Sequence, residues 1–215
     1  DAIQVGHATN VRVADNNGSE LGYPADQVDV ETSAVAVAVD TAGNVDHSVY
    51  TRNQFTDVNG QCIDLDGFHD GEVTGNSCIN RKPIEAYPAL HAGIVFGATN
   101  PDVHPGHVVI TDNTIAGFAF GALYLLGNGN RIENNQFLDM NRAHCGMEPT
   151  PARCNYARDQ PDLLRAGVYL AKEGTGNIVR NNTITGYGIE QHCIAAAPGV
   201  SLKDNIVSPN ICRNH

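Results

Sequence analysis

The hexapeptide ITDNTI, residues Ile110–Ile115, is one of seven related phrases that run along the chain and decide its fold. Each phrase has a hydrophobic residue, two further residues, an asparagine, one more residue and, in most cases, a second hydrophobic residue. The other six are VADNNG from Val13, YTRNQF from Tyr50, VTGNSC from Val73, IENNQF from Ile132, VRNNTI from Val179 and LKDNIV from Leu202. A turn explains any single phrase, but seven in order indicate a structural repeat.

The shared asparagines set the length of that repeat. They are Asn16, Asn53, Asn76, Asn113, Asn135, Asn182 and Asn205, and the gaps between them are 37, 23, 37, 22, 47 and 23 residues. These gaps predict a coil of 22 or 23 residues, with loops inserted in the longer ones. An asparagine at a fixed corner tolerates a left-handed backbone conformation, and stacked asparagine amides can form a hydrogen-bonded ladder.

A short strand of alternating character precedes each asparagine. Its predicted inward residues are Ile3, Val37, Ile63, Ile94, Leu123, Val168 and Ile194. The residues that follow them face outward, and they are Gln4, Ala38, Asp64, Val95, Tyr124, Tyr169 and Ala195. Stacked coils bury the inward residues as continuous columns. We therefore expect an all-β parallel β-helix of about seven coils that forms a single domain over residues 1–215.

This pattern resembles the right-handed parallel β-helix of the pectin lyase-like superfamily, from Ala2 to about Val207. The resemblance implies a fold shared by pectate and pectin lyases, polygalacturonases, other glycoside hydrolases, alginate-modifying enzymes, phage tailspikes and non-catalytic adhesins. The enzymes among them bind glycans in a groove along the first sheet. The polygalacturonase motifs are not matched. IDLDG is only loosely similar to the paired Asp-Asp motif of that family, and PGHV lacks the second glycine of its Gly-His-Gly motif.

The excess residues predict loops beside that groove. They fall at 17–33, 77–92 and 138–166, with a smaller insertion at 97–106. Solenoids keep insertions on one face, which is often the binding face. No capping helix precedes the first strand, which predicts an N-terminally truncated or uncapped coil and self-association through that end.

Charge and hydropathy exclude several classes of partner. The formal net charge of −11 argues against nucleic acid, because phosphate contacts need clustered Lys and Arg. It also disfavours an anionic polysaccharide unless a cation intervenes. No apolar run approaches the roughly 20 residues of a membrane span, so no membrane partner is expected.

The six cysteines favour an oxidising compartment, and we predict a secreted or periplasmic protein. Nearness in sequence suggests the pairs Cys62–Cys78, Cys145–Cys154 and Cys193–Cys212, one of fifteen connectivities. No CxxC pair is present, which argues against zinc.

Three aspartates are the candidate catalytic residues. Asp64 and Asp66 share one strand face, with backbones about 6.5–7 Å apart, and the predicted register puts Asp40 one coil below Asp66. Clustered carboxylates raise the pKa of one of them, as an acid catalyst at neutral pH requires. Two alternatives stay open, namely ordinary solvated aspartates and a calcium site, with no other cofactor expected.

The remaining candidates would bind substrate. Tyr124 and Tyr169 share a column on which a sugar could stack, Lys172 follows the sixth strand, and His7 and His91 lie near the groove. The alternative for each of these residues is that it is an ordinary surface residue with no role in binding. The first functional hypothesis is a secreted hydrolase or lyase that cleaves a polysaccharide. The second is a non-catalytic β-helix that acts as a scaffold, adhesin or glycan-binding module.

Overall fold

The computed structural model of the protein describes residues 1–24, 36–99, 103–157 and 160–215. Its strands lie in three parallel sheets, and each strand pairs with the equivalent strand one coil away. Seven coils follow one another from Ile3 to Asn214. The prediction of an all-β parallel β-helix is therefore confirmed.

The strands repeat in the same order in each coil. The first sheet contains β1 (Ile3–Val5), β2 (Ala8–Thr9), β5 (Ala36–Asp46), β8 (Gly60–His69), β11 (Ile94–Gly97), β14 (Leu123–Leu125), β17 (Val168–Leu170) and β20 (Ile194–Ala196). The second contains β3 (Arg12–Ala14), β6 (Val49–Thr51), β9 (Glu72–Thr74), β12 (Val109–Thr111), β15 (Arg131–Glu133) and β18 (Ile178–Arg180). The third contains β4 (Asn17–Ser19), β7 (Gln54–Thr56), β10 (Ser77–Ile79), β13 (Thr114–Ala116), β16 (Gln136–Met140), β19 (Thr183–Gly186) and β21 (Ile211–Asn214).

Helical segments are short and lie in the loops. The α-helix α1 spans Pro161–Arg165, and 3₁₀ turns span Ile84–Ala86, Ala152–Ala157 and Leu202–Asp204. None of the helices in the described ranges is long and apolar enough to span a membrane.

A ladder of asparagines runs along the corner between the second and third sheets. In each rung the side-chain Nδ2 and the backbone N–H donate to the Oδ1 of the asparagine one coil further on. The Nδ2–Oδ1 distances are 2.8 to 3.0 Å. Asn53, Asn113 and Asn135 are fully buried. The ladder thus satisfies polar groups that would otherwise be stranded in the core.

The left-handed residue of this corner is not the asparagine itself, contrary to expectation. Positive φ angles occur one residue earlier, for example at Arg52 (53°), Asp112 (58°) and Asn181 (58°). The asparagine is therefore selected for its amide, which both donates and accepts along the axis. The bend is made by the residue before it.

The ladder also ends elsewhere than expected. Its seventh rung is Asn210, whose Oδ1 accepts from the backbone N–H and Nδ2 of Asn182. Asn205 belongs to a second, shorter ladder with Asn130 and Asn177, at the corner between the first and second sheets. The LKDNIV phrase therefore lies one corner earlier in its coil than the other six.

The register of β5 differs by two residues from the prediction. Val39, not Val37, pairs with Ile3 and Ile63 in the inward column. The run AVAVAVD keeps the same face inward when it slides by two residues, so alternation alone does not fix it. The consequence falls on the outer face, where Asp40 replaces Ala38.

Two disulfides occupy equivalent places in the third and seventh coils. The structure contains Cys62–Cys78, Cys145–Cys154 and Cys193–Cys212, the pairs suggested by nearness in sequence. Cys62 and Cys193 each precede the first inward residue of a first-sheet strand. Cys78 and Cys212 lie in one column of the third sheet.

In coils between the Cys62–Cys78 and Cys193–Cys212 disulfides, a glycine and an isoleucine occupy the two positions that the cysteines hold in the third and seventh coils. A β-carbon built on Gly93 would lie 2.4 Å from Cγ2 of Ile115, and one on Gly167 would lie 2.6 Å from Cγ2 of Ile184. Neither glycine can be enlarged unless its partner shrinks.

The long loops are shorter than predicted, because β4, β10 and β16 occupy the first part of the insertions 17–33, 77–92 and 138–166. Each loop leaves the third sheet and returns to the first. Residues 25–33 of the first insertion, and 100–102 and 158–159 in the others, lie outside the described ranges. Within those ranges, the first-coil strands β1, β3 and β4 pair on one side only, and self-association through that coil stays a prediction.

Replacing the central rung, Asn113→Ala, tests the ladder. The buried Asn76 and Asn135 amides and the Val73 carbonyl would lose partners. We expect a loss of about 3 kcal/mol in the free energy of unfolding, measured by urea denaturation. Asn16→Ala, at the partly exposed end of the ladder, is the control and should lose about 1 kcal/mol or less. Equal losses at both positions would contradict a cooperative buried ladder.

Candidate active site on the first sheet

The outer face of the first sheet carries one column of polar and aromatic side chains. Pairing in register aligns, coil by coil, Gln4, Asp40, Asp64, Val95, Tyr124, Tyr169 and Ala195. Asp40 therefore lies beside Asp64, about 4.8 Å away at the backbone. The expectation that it lies below Asp66 is wrong, since Ala42 pairs with Asp66.

Asp40 is held from the first coil. The Gln4 Nε2 donates to its Oδ2 at 2.6 Å, and the residue is 9% exposed. This hydrogen bond fixes the carboxylate next to Asp64. Asp40 thus acts on its neighbour through its charge.

Asp64 is the most perturbed carboxyl group of this face. Burial, together with the charges of Asp40 and Asp66, raises its pKa to about 7, against hydrogen bonds from the backbone N–H groups of Leu65 and Asp66. Its Oδ1 is buried without a hydrogen-bond partner among the described residues. At neutral pH a large share of Asp64 is therefore a protonated acid on the outer face of the first sheet.

Asp66 is fixed from the other side by the loop after β11. The backbone N–H of Thr99 donates to its Oδ1 at 2.9 Å, and the Thr99 hydroxyl donates to Oδ2. Gly97 pairs with Asp66, and a β-carbon there would lie 2.9 Å from the Asp66 Cβ. The two donors from Thr99 fix the orientation of this carboxylate.

The two tyrosines of the column stack but differ in exposure. The Tyr124 and Tyr169 rings lie 5.9 Å apart at 18°. Tyr169 is only 3% exposed and packs beneath Leu163, with its hydroxyl 3.3 Å from the Gln160 Oε1. It therefore offers little surface to a sugar, whereas Tyr124 is half-buried and lines a hollow beside Val95.

The other substrate-binding candidates do not all converge on the aspartates. His7 is exposed, and its Nε2 lies 2.7 Å from where a β-carbon of Gly43 would be. Lys172 is 86% exposed beside Glu173, three coils and about 14 Å along the axis from Asp64. His91 lies in the same hollow as Tyr124, and burial lowers its pKa to about 4.

Sequence reasoning did not select three further residues of the site. Gln4 was recognised as outward-facing only, and Thr99 lies in the small loop insertion, where nothing in the sequence marks it. Gln61, at 7% exposure, has a buried Oε1 with no hydrogen-bond partner in the described ranges. It precedes Asp64 by three residues in β8, and the two residues between them are both in the core, which simple alternation does not predict.

No group of three or more His, Cys, Asp and Glu side chains in the described ranges is placed to hold a metal ion. A larger hollow of about 570 Å³, between Gly146 and Arg165, has Glu148 as its only carboxylate. Because the first sheet has several carboxylates close together and the hollow beside Glu148 has one, we place the candidate active site on the first sheet.

Comparison with known proteins identifies the architecture. The family model described as a right-handed beta helix region matches residues 35–212. A search of curated proteins found no match.

Solved structures give the same fold. The chain is similar to DFA-IIIase from Arthrobacter chlorophenolicus A6 without its lid, with a TM-score of 0.58, 14% identity and coverage of 97% of this chain and 53% of that one. It is also similar to that protein in complex with GF2, with a TM-score of 0.54, 15% identity and coverage of 97% and 54%. The chain thus spans about half the length of these proteins.

Asp64→Asn tests the raised pKa through stability. A buried carboxyl whose pKa rises from 3.8 to about 7 on folding costs stability as pH rises through that window and costs nothing more above it. We expect the variant to be close to the wild type at pH 4 and about 4 kcal/mol more stable at pH 8, since each pKa unit corresponds to about 1.4 kcal/mol. Thermal or urea unfolding at the two pH values measures this.

The control is Asp112→Asn, an exposed turn residue with φ of 58° that an asparagine also accepts. Its effect on stability should be the same at both pH values. A pH-independent effect of Asp64→Asn would contradict a raised pKa.

Proposed function

Because the chain belongs to the right-handed β-helix family, we propose that it is a carbohydrate-cleaving enzyme, with its active site on the outer face of the first sheet. The observation that carries this proposal is the group Asp40, Asp64 and Asp66. One carboxyl is protonated near neutral pH beside two that are held by hydrogen bonds. Glycoside hydrolysis needs this pairing of an acid with a carboxylate.

The proposed reaction assigns one role to each aspartate. Asp64 donates its proton to the bridging glycosidic oxygen, which leaves with that proton as a hydroxyl group. Asp66, oriented by Thr99, accepts a proton from the water that adds to the anomeric carbon. Asp40 touches neither atom, and its charge keeps the pKa of Asp64 high.

A neutral glycan fits this site better than an acidic one. The charges that act on Asp64 are those of Asp40 and Asp66, both negative. The chain carries a net charge of −11, so an anionic sugar would be repelled. Hydrolysis therefore suits the site better than lyase chemistry on a uronic acid, which needs a cation beside the sugar carboxylate.

The similar solved structures support a carbohydrate-active role on this fold. DFA-IIIase was solved in complex with GF2 and, as the C387A mutant, in complex with DFA-III, the latter with a TM-score of 0.50 and 16% identity to this chain. Three disulfides support function in an oxidising compartment, and we propose secretion or a periplasmic location.

Substitution of the aspartates tests the proposal. We expect Asp64→Asn and Asp66→Asn each to lower kcat by at least about 100-fold, because each removes a proton donor or acceptor of the reaction. Release of reducing ends from a panel of neutral and acidic glycans, with and without calcium, measures turnover. Asp112→Asn is the matched control and should keep full activity.

The alternative hypothesis, a non-catalytic scaffold or glycan-binding module, predicts a different result. No glycan would be cleaved by the wild-type chain, and neutralising all three aspartates would leave any glycan binding unchanged. Cleavage that survives both single substitutions would overturn the assignment of Asp64 and Asp66.

A further inference from the structure

A small apolar hollow adjoins the carboxylates on the same sheet face. Its volume is about 210 Å³, and it is lined by His91, Ala92, Val95, Phe120, Tyr124, Leu163 and Leu164. The sheet supplies its floor and α1 supplies one wall through Leu163 and Leu164. Burial keeps His91 neutral at physiological pH, so none of the described lining residues carries a charge.

The hollow begins one coil away from the proposed acid. Val95 pairs in register with Asp64 on one side and with Tyr124 on the other. The backbone separation between Asp64 and Val95 is thus about 4.8 Å. A group attached to the bond that Asp64 cleaves would reach the hollow directly.

The polar side of the site is formed by two oxygen atoms. Cys62 and Ile63 both belong to the core and both donate their N–H to the Gly93 carbonyl, so the inward–outward alternation of β8 is interrupted between Gln61 and Asp64. The Gln61 Oε1 and Asp64 Oδ1 are buried acceptors with no protein donor in the described ranges. Buried acceptors of this kind call for donors from a ligand, such as sugar hydroxyls.

We propose that the hollow binds a single apolar ring that forms the leaving group of the substrate, so that the substrate class is a glycoside of an aromatic or alicyclic alcohol. This inference rests on the proposed function. The sugar would donate hydroxyls to Gln61 and Asp64, and the ring would lie on Val95 and Tyr124. The bond between them would lie at Asp64.

The size and chemistry of the hollow favour this occupant. A dry cavity of about 150 Å³ holds a benzene molecule, so 210 Å³ accommodates one substituted ring but not a chain of sugars. A second sugar unit would bury most of its hydroxyls against apolar side chains such as Ala92, Val95 and Leu163, because His91 and Tyr124 are the only described lining residues with polar side-chain atoms. An apolar ring pays no such penalty.

Paired benzyl and methyl glycosides of the same sugars test the inference. The two glycosides share the same sugar, and their leaving alcohols have similar basicity. A difference in Kd between them therefore measures the binding of the aromatic ring. We expect benzyl glycosides to bind at least about tenfold more tightly than their methyl partners, from burial of the ring. Calorimetry with the Asp64→Asn variant measures Kd without turnover.

Two variants locate the ring. Val95→Phe fills the hollow and should remove the benzyl advantage, and Leu163→Ala opens its wall and should reduce it. The matched control is Val49→Phe, a half-buried valine on the outer face of the second sheet that pairs with Arg12 and Glu72. It should leave the benzyl advantage intact.

The outcomes separate this inference from the proposed function. If no benzyl glycoside binds better than its methyl partner, or if Val95→Phe keeps the advantage, the ring subsite is wrong, even where glycans are cleaved. If benzyl glycosides bind in the hollow but the wild-type chain cleaves no glycoside, the proposed function is wrong and the ring subsite stands.

Discussion

The asparagine ladder between the second and third sheets is the constraint on which the rest of the structure depends. Each amide donates to the next coil and accepts from the previous one, so the rungs must stay in register along the axis. That register carries over to the first sheet, because the strands of one coil are joined by short corners. The alignment of Asp40 with Asp64 therefore depends on amides on a different face of the helix.

Much of the fold could be predicted from the sequence because the spacing of the repeated asparagines gives the length of one coil. The inward column was right at Ile3, Ile63, Ile94 and beyond, and failed only in β5. There the run AVAVAVD allows two registers that bury the same kind of residue. The seventh ladder rung was missed for a related reason, since Asn205 has the local pattern of a rung but occupies another corner.

The site was less predictable, because it depends on contacts between coils. A cluster of aspartates is visible in the sequence, but the burial that raises the pKa of Asp64 is not. The hydrogen bonds from Gln4 to Asp40 and from Thr99 to Asp66 join residues of neighbouring coils that are 36 and 33 positions apart in the sequence. The two-residue error in the predicted register of β5 placed Asp40 beside Asp66, whereas the structure pairs it with Asp64. Tyr169 matched its column and yet lies covered by α1, since a loop from the same coil folds over it.

The interchange of a disulfide with a glycine–isoleucine pair has a consequence for how such a chain evolves. Cys62–Cys78, Gly93 with Ile115, Gly167 with Ile184, and Cys193–Cys212 fill one position of the cross-section with nearly the same volume. A coil with either arrangement stacks on its neighbours in the same way, so coils can be added or lost without changing how the remaining coils pack. The length of the outer face can therefore vary while the residues around Asp64 keep their places.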